Sequence, residues 1–235
     1  MNKVDRNINS RLSSWSFSGK VAKNFEKHIN KSVPFYYEGQ ELISFLSDFF
    51  VGNDSTVYDL GCSTGVLSAL ISDRHIEKKF KIVSIDIEEE MISIAKKDNH
   101  RKNIEYINSN ILDIEFEKSD LVICYYTLQF IPTKYRQDFL ERLYKSLNWG
   151  GALILFEKVR YSNSRIQDYM TQTYQEFKIK NGFNSENILS KSRSLKKILE
   201  PYSSQGNINL LKRAGFSDID TIHKHISFEG FIAIK

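Results

Sequence analysis

Val57-Tyr58-Asp59-Leu60-Gly61-Cys62-Ser63-Thr64-Gly65 decides the fold. It reads as a short buried strand running directly into a glycine-bearing loop. The helical pattern Val66-Leu67-Ser68-Ala69-Leu70-Ile71 follows at once. Such a strand–loop–helix opens the sheet of a nucleotide-type α/β protein, where glycine lets backbone approach a ligand closely. Outward from this unit, strands are expected at 56–60, 81–86, 104–108, 121–125 and 152–157, with helices at 65–73, 89–97 and 133–147 between them. Gly150-Gly151 is expected to close the last of these helices. Alternation of this kind predicts an α/β fold with a doubly wound, Rossmann-like, mostly parallel sheet.

The flanks read differently. Residues 1–16 are polar apart from Leu12 and Trp15. Val21, Ala22, Phe25 and Ile29 recur at helical spacing over 19–30, and Leu42, Phe45, Leu46, Phe49 and Phe50 do so over 38–50. After the fifth strand come helical stretches at 164–180 and 185–199 with no strand between them. A helix at 207–214 ends at Gly215, and strands at 216–224 and 228–234 look like an antiparallel pair. The economical organisation is one domain over 1–235, comprising lid helices (1–50), a cofactor-binding core (51–160), a helical insertion (161–206) and a final helix with the terminal strand pair (207–235).

Composition bounds the function. The 235 residues suffice for one α/β domain with a full core, and 41% hydrophobic with 26% charged residues is ordinary for a globular protein. Lys and Arg number 33 against 29 Asp and Glu, so direct nucleic-acid binding is disfavoured at a net charge of only +4. No apolar run approaches transmembrane length, and the polar first ten residues are unlike a signal peptide. Cys62 and Cys124 provide neither a disulfide framework nor a metal site, and the five histidines have no metal spacing. A reducing, cytoplasmic setting is the expectation.

The loop departs from the Gly-x-Gly-x-x-Gly that grips a pyrophosphate, because Ser63 holds the middle position and no third glycine follows. Asp59 beside it would repel phosphate and favour a cationic ligand group. Asp86 ends the second strand, where a carboxylate can accept both hydroxyls of a ribose; its alternative role is to cap the helix that follows.

Asp59-Leu60-Gly61-Cys62-Ser63-Thr64-Gly65 and Asp86 together resemble the first and second motifs of class I S-adenosylmethionine-dependent methyltransferases. The resemblance implies a seven-stranded sheet with a reversed final hairpin. It also implies a cofactor contact near Asn110 and Ile111, where Asn110 reads equally well as a turn residue. A second resemblance spans about residue 15 to the C-terminus. Ser32-Val33-Pro34-Phe35-Tyr36, Thr127-Leu128-Gln129-Phe130, Leu147-Asn148-Trp149-Gly150-Gly151, Glu157-Lys158 and Lys212-Arg213-Ala214-Gly215-Phe216 look like the carboxy-S-adenosylmethionine synthase family. That family moves a carboxyl group from prephenate to the methyl of S-adenosylmethionine, for wobble-uridine modification, and is typically homodimeric. The resemblance implies cofactor contacts at Tyr36, Gly61, Cys62, Ser63, Gly65, Asp86, Ile87 and Tyr125.

Three positions depart from that family. Asn110 stands for its aspartate, Tyr125 for its strand-end asparagine, and Ser192 for its arginine. The arginine and asparagine hold the added carboxylate there, and serine cannot replace a bidentate guanidinium. Arg193 lies one position along, rotated by ~100° on a helix. The expected function is therefore methyl transfer from S-adenosylmethionine to a small molecule. Carboxy-S-adenosylmethionine synthesis, with the carboxylated cofactor, and a non-catalytic S-adenosylmethionine-binding subunit are the alternatives. Tyr125, Tyr36 and His28 are the candidate catalytic residues; core packing is the plainer role of the two tyrosines, and His28 is the one histidine placed to act as a base. Strand alternation lets only one of Tyr125 and Tyr126 face the site, and Tyr125 is favoured. Lys191, Arg193, Lys196 and Lys197 read as a solvated basic face.

Overall fold

The computed structural model describes residues 25–235. The expected helix at 19–30 therefore lies partly outside the described residues, with Val21 and Ala22 among those not described. Its described part belongs to α1 (Phe25–Ser32), and α2 (Tyr36–Leu46) runs on into a single 3-10 turn. The core alternates β1 (Thr56–Leu60), α3 (Val66–Arg74), β2 (Lys81–Asp86), α4 (Glu89–Asp98), β3 (Ile104–Asn108), β4 (Ser119–Tyr125), α5 (Thr133–Ser146) and β5 (Leu147–Lys158). Then follow α6 (Ser164–Lys180), α7 (Ser185–Ser194), α8 (Ser204–Ala214), β6 (Asp218–His225) and β7 (Phe228–Ile234).

The seven strands form one sheet in the order β3-β2-β1-β4-β5-β7-β6. β1 to β5 are mutually parallel, and β7 runs antiparallel to both β5 and β6. The central strands are buried on both faces, as a parallel sheet covered by helices requires. Val57, Ile82, Leu121 and Ile154 pack to one side, and Tyr58, Leu60, Val122 and Leu153 to the other. The order steps from β1 to β4 at the middle of the sheet. That reversal leaves a crevice beyond the strands' C-terminal ends, the place where open α/β sheets bind ligands.

Two expectations need correction. Gly150-Gly151 does not cap a helix: α5 ends at Ser146, and both glycines lie within β5. Gly150 has φ 77° and its N–H donates to the Lys235 carbonyl at 2.8 Å, so tertiary pairing with the chain's end claims a sequence that has a helix-stop pattern. The helix expected at 185–199 stops at Ser194. Beyond it Lys197 turns with φ 64°, and the Glu200 N–H donates to the Gln129 carbonyl at 3.0 Å, which ties the segment to the 3-10 turn after β4.

Candidate active site

The loop after β1 owes its shape to three left-handed residues in five: Gly61 (φ 81°), Ser63 (φ 52°) and Gly65 (φ 78°). The N–H groups of Gly61 and Cys62 both donate to the Ile85 carbonyl, at 2.8 and 3.0 Å, fixing the loop to the end of β2. A side chain at Gly61 would overlap the Thr127 hydroxyl, which itself donates to the Leu60 carbonyl at 2.7 Å. Glycine is therefore required by both conformation and space. From α1, Glu26 accepts the Thr64 hydroxyl at 2.5 Å, tying that helix to the same loop.

Asp86 clasps the loop from the opposite side. One carboxylate oxygen accepts the Ser63 N–H at 2.8 Å and the other the Glu88 N–H at 3.0 Å. Glu88, not Asp86, is the residue that precedes α4 as its cap. Burial raises the Asp86 pKa, and the backbone N–H groups of Glu88, Ser63 and Ile87 oppose the rise. Each oxygen keeps a lone pair free of these bonds, so the carboxylate can still accept ligand hydroxyls.

The loop and Asp86 form one wall of a cavity of about 1490 Å³, larger than the roughly 300–1,000 Å³ of a typical small-molecule pocket. Of the residues expected to bind cofactor or act in catalysis, His28, Tyr36, Gly61, Ser63, Asp86, Ile87, Asn110, Ile111 and Tyr125 share its wall. Asn110 also makes a turn, its side-chain oxygen accepting the Leu112 N–H at 3.0 Å. His28 packs edge-on against Phe183 and contacts the Lys191 amine, so α1 meets α7 across the cavity.

Asp59, Cys62 and Gly65 are not on that wall. Asp59 is only 1% exposed and accepts the Ser68 hydroxyl at 2.5 Å, with Ser68 and Ser84 hydroxyls 2.8 Å apart. Its carboxyl lies beneath α3 instead of facing a cationic ligand, and burial pushes its pKa up to about 7. Cys62 is buried with a strongly raised thiol pKa, again chiefly by burial. Gly65 is the left-handed residue before α3 and packs on Tyr106.

Strand alternation misjudges the tyrosine pair. Tyr125 and Tyr126 both line the cavity, because Tyr126 adopts φ 63° and leaves the strand's geometry. The Tyr125 hydroxyl donates to the Tyr36 carbonyl at 2.5 Å, and burial raises its pKa far above the ordinary value. A phenol so engaged is a brace, not a base. The Tyr126 hydroxyl is buried and has no hydrogen-bond partner among the described residues.

The basic residues are also placed unexpectedly. Lys191, Ser192, Lys196 and Lys197 face the cavity and Arg193 does not, so the arginine has not moved into the serine's place. No site role is expected from the sequence for Lys158, at the end of β5 and within the Glu157-Lys158 stretch of the family resemblance, or for Lys178, on α6. Both line the cavity beside Arg160. The position of Lys158 at the C-terminal edge of a central strand was the available signal. Gln129 joins these parts: its amide donates to the Tyr126 carbonyl at 3.2 Å, its side-chain oxygen accepts the Lys158 N–H at 3.0 Å, and its carbonyl accepts the Glu200 N–H.

Residues 57–151 match a family model described as a methyltransferase domain. The fold is similar to that of an O-methyltransferase family protein from Burkholderia thailandensis (TM-score 0.65, 16% identity, 92% of this chain and 59% of that one). It is also similar to human N-acetylserotonin methyltransferase in complex with S-adenosylmethionine (TM-score 0.56, 18% identity, 94% and 60%). Both solved proteins are longer, and the chain spans about 60% of each. The glycine loop, the carboxylate at the end of β2 and this sheet order define a class I S-adenosylmethionine-dependent methyltransferase superfamily member, whose cofactor is S-adenosylmethionine. A carboxy-S-adenosyl-L-methionine synthase from Staphylococcus epidermidis is 36% identical over 222 residues, 94% of this chain and 97% of the relative. The chain belongs to the carboxy-S-adenosyl-L-methionine synthase family.

The residues present fit the cofactor: a strained loop that excludes a Cβ, a carboxylate with free acceptor capacity and a cavity of sufficient volume. Among the described residues no helix is long and apolar enough to cross a membrane, and no cluster of three or more His, Cys, Asp or Glu is placed to hold a metal.

Proposed function

We propose that the protein is a methyltransferase that uses S-adenosylmethionine on a small molecule, built on the scaffold of its family. The observation that carries this reading is Ser192 on the cavity wall with Arg193 turned away from it. The guanidinium that the family resemblance assigns to the added carboxylate is replaced by a hydroxyl. The strand-end asparagine is replaced by Tyr125, whose own hydroxyl is committed to the Tyr36 carbonyl. Ordinary S-adenosylmethionine needs neither ligand. When bound, it supplies an already activated methyl on its sulfonium. Gly61, Ser63 and Asp86 would hold it, and Tyr36, Tyr125 and the helices α1, α6 and α7 would exclude water and orient the acceptor.

The second reading, carboxy-S-adenosylmethionine synthesis, is supported by the 36% identity across nearly the whole chain. Mass spectrometry of the ligand released after incubation with S-adenosylmethionine and prephenate separates the two. Methyl transfer predicts no product from prephenate. A species heavier than S-adenosylmethionine by about 44 mass units, as a carboxyl replacing hydrogen requires, would reject it. The proposal also expects cytoplasmic placement and a homodimer, which cell fractionation and size-exclusion chromatography with light scattering test.

A further inference from the structure

Lys158 and Lys178 reach the cavity from different elements, one closing β5 and the other in the last turn of α6. Their amines stand over the same ring, at 4.6 and 4.3 Å from the centre of Tyr174. Neither has a carboxylate partner among the described residues, and Arg160 lies on the same wall. Unpaired cations brought together in a partly buried place repel one another and lose hydration, a cost a protein seldom bears without a counter-charge. Beside them the wall is aromatic. Tyr174 packs on Phe228 at 5.2 Å, Phe228 on Tyr126 at 5.9 Å, and the Tyr126 hydroxyl adds an unused donor.

From this arrangement we propose that Lys158 and Lys178 form the anion-binding end of the acceptor subsite. The subsite takes a small molecule with an apolar body and one carboxylate or phosphate. The body lies along Tyr126, Phe228 and Tyr174, and the anionic group meets the two amines. The proposal rests on the transferase reading for the word acceptor, but the anion site stands on its own geometry. Burial, with repulsion from Lys178 and then Arg160, holds Lys158 at a pKa of about 8, and burial does the same to Lys178. A bound anion relieves both effects, so the empty site is the one that is electrostatically out of balance.

Calorimetry with benzoate, phenyl phosphate and benzamide tests it on the full chain, with and without S-adenosylhomocysteine. At least one anion is expected to bind about tenfold or more tightly than the neutral benzamide, as charge-assisted hydrogen bonds imply. Whichever of the two anions binds more tightly identifies the headgroup. Lys158→Gln and Lys178→Gln should each remove most of that margin while binding S-adenosylhomocysteine like the parent. Equal affinity for all three probes, or an anion affinity unmoved in both variants, overturns the proposal. Failure of S-adenosylhomocysteine to bind would instead sink the transferase reading, because the measurement without it still decides the anion site.

Discussion

The Tyr125 hydroxyl donates to the backbone carbonyl of Tyr36 at 2.5 Å, joining the end of β4 to the first turn of α2. The rings lie 5.0 Å apart, and Gly39 leaves the room this needs, since a Cβ there would overlap the Tyr125 hydroxyl. The helix α2 is thereby fastened to the sheet that carries the loop after β1. Tyr125→Phe keeps the packing but removes the tie, while the Tyr36 carbonyl keeps its acceptor role within the first turn of α2. The expected cost is about 0.5–1.5 kcal/mol in urea denaturation, with several-fold weaker S-adenosylhomocysteine binding in calorimetry. The pH profile of turnover should keep its shape, because a donor with a pKa so far raised is not a base in the working range.

Asp86 accepts two N–H groups, from Ser63 in the loop after β1 and from Glu88 in the turn after β2. Asp86→Asn presents one acceptor oxygen in place of two, so one of those N–H groups loses its partner and the ligand loses a charged acceptor. Hydrogen bonds to charged groups contribute roughly 1.5–3 kcal/mol, and S-adenosylhomocysteine affinity should fall by about ten- to a hundredfold. A variant that binds as the parent does would remove Asp86 from the cofactor site.

Much of this was readable in advance, and the exceptions have physical causes. β1, β2 and β3 coincide with their expected ranges because β1 and β2 are short buried runs and β3 alternates buried with exposed residues, patterns carried by the sequence itself. The helix stop expected at Gly150 failed because pairing with the chain's last residue is not visible locally. Tyr126 was set aside by strand alternation, and its left-handed backbone is not encoded by any residue preference. Lys158 and Lys178 carry no site role in the sequence reading because single lysines usually belong to a solvated face. Only the approach of α6 to the end of β5 turns them into a pair. Asp59 is expected from the sequence to face a cationic ligand group, but its carboxyl turns instead to Ser68 in the first turn of α3, a contact the local sequence does not show.

That buried carboxyl makes stability depend on pH in an unusual direction. Its folded pKa, about 7, lies above the 3.8 of an exposed aspartate, so the folded state holds the proton more tightly than the unfolded one. The stabilising contribution of the protonated form is complete below about pH 4 and is lost as pH rises through about 7. Asp59→Asn keeps an acceptor for Ser68 and abolishes this titration. Relative to the variant, the parent should lose on the order of 2–3 kcal/mol between pH 5 and pH 8 in urea denaturation. A difference that stays constant across that interval would place the Asp59 titration elsewhere.

Tyr126 offers the opposite experiment to Tyr125. The two rings are neighbours, 4.7 Å apart, and both are nearly buried, yet one hydroxyl is bonded and the other is not. A buried donor without a partner costs about 1–3 kcal/mol, and removing it together with its desolvation recovers part of that cost. Tyr126→Phe should therefore unfold at the same urea concentration as the parent or a higher one, whereas Tyr125→Phe unfolds at a lower one. If the Tyr126 hydroxyl is retained for a ligand, the same substitution should weaken benzoate or phenyl phosphate binding while leaving S-adenosylhomocysteine affinity unchanged. A Tyr126→Phe variant that is clearly destabilised would mean that the hydroxyl has a partner within the folded protein, and its role in the acceptor subsite would be withdrawn.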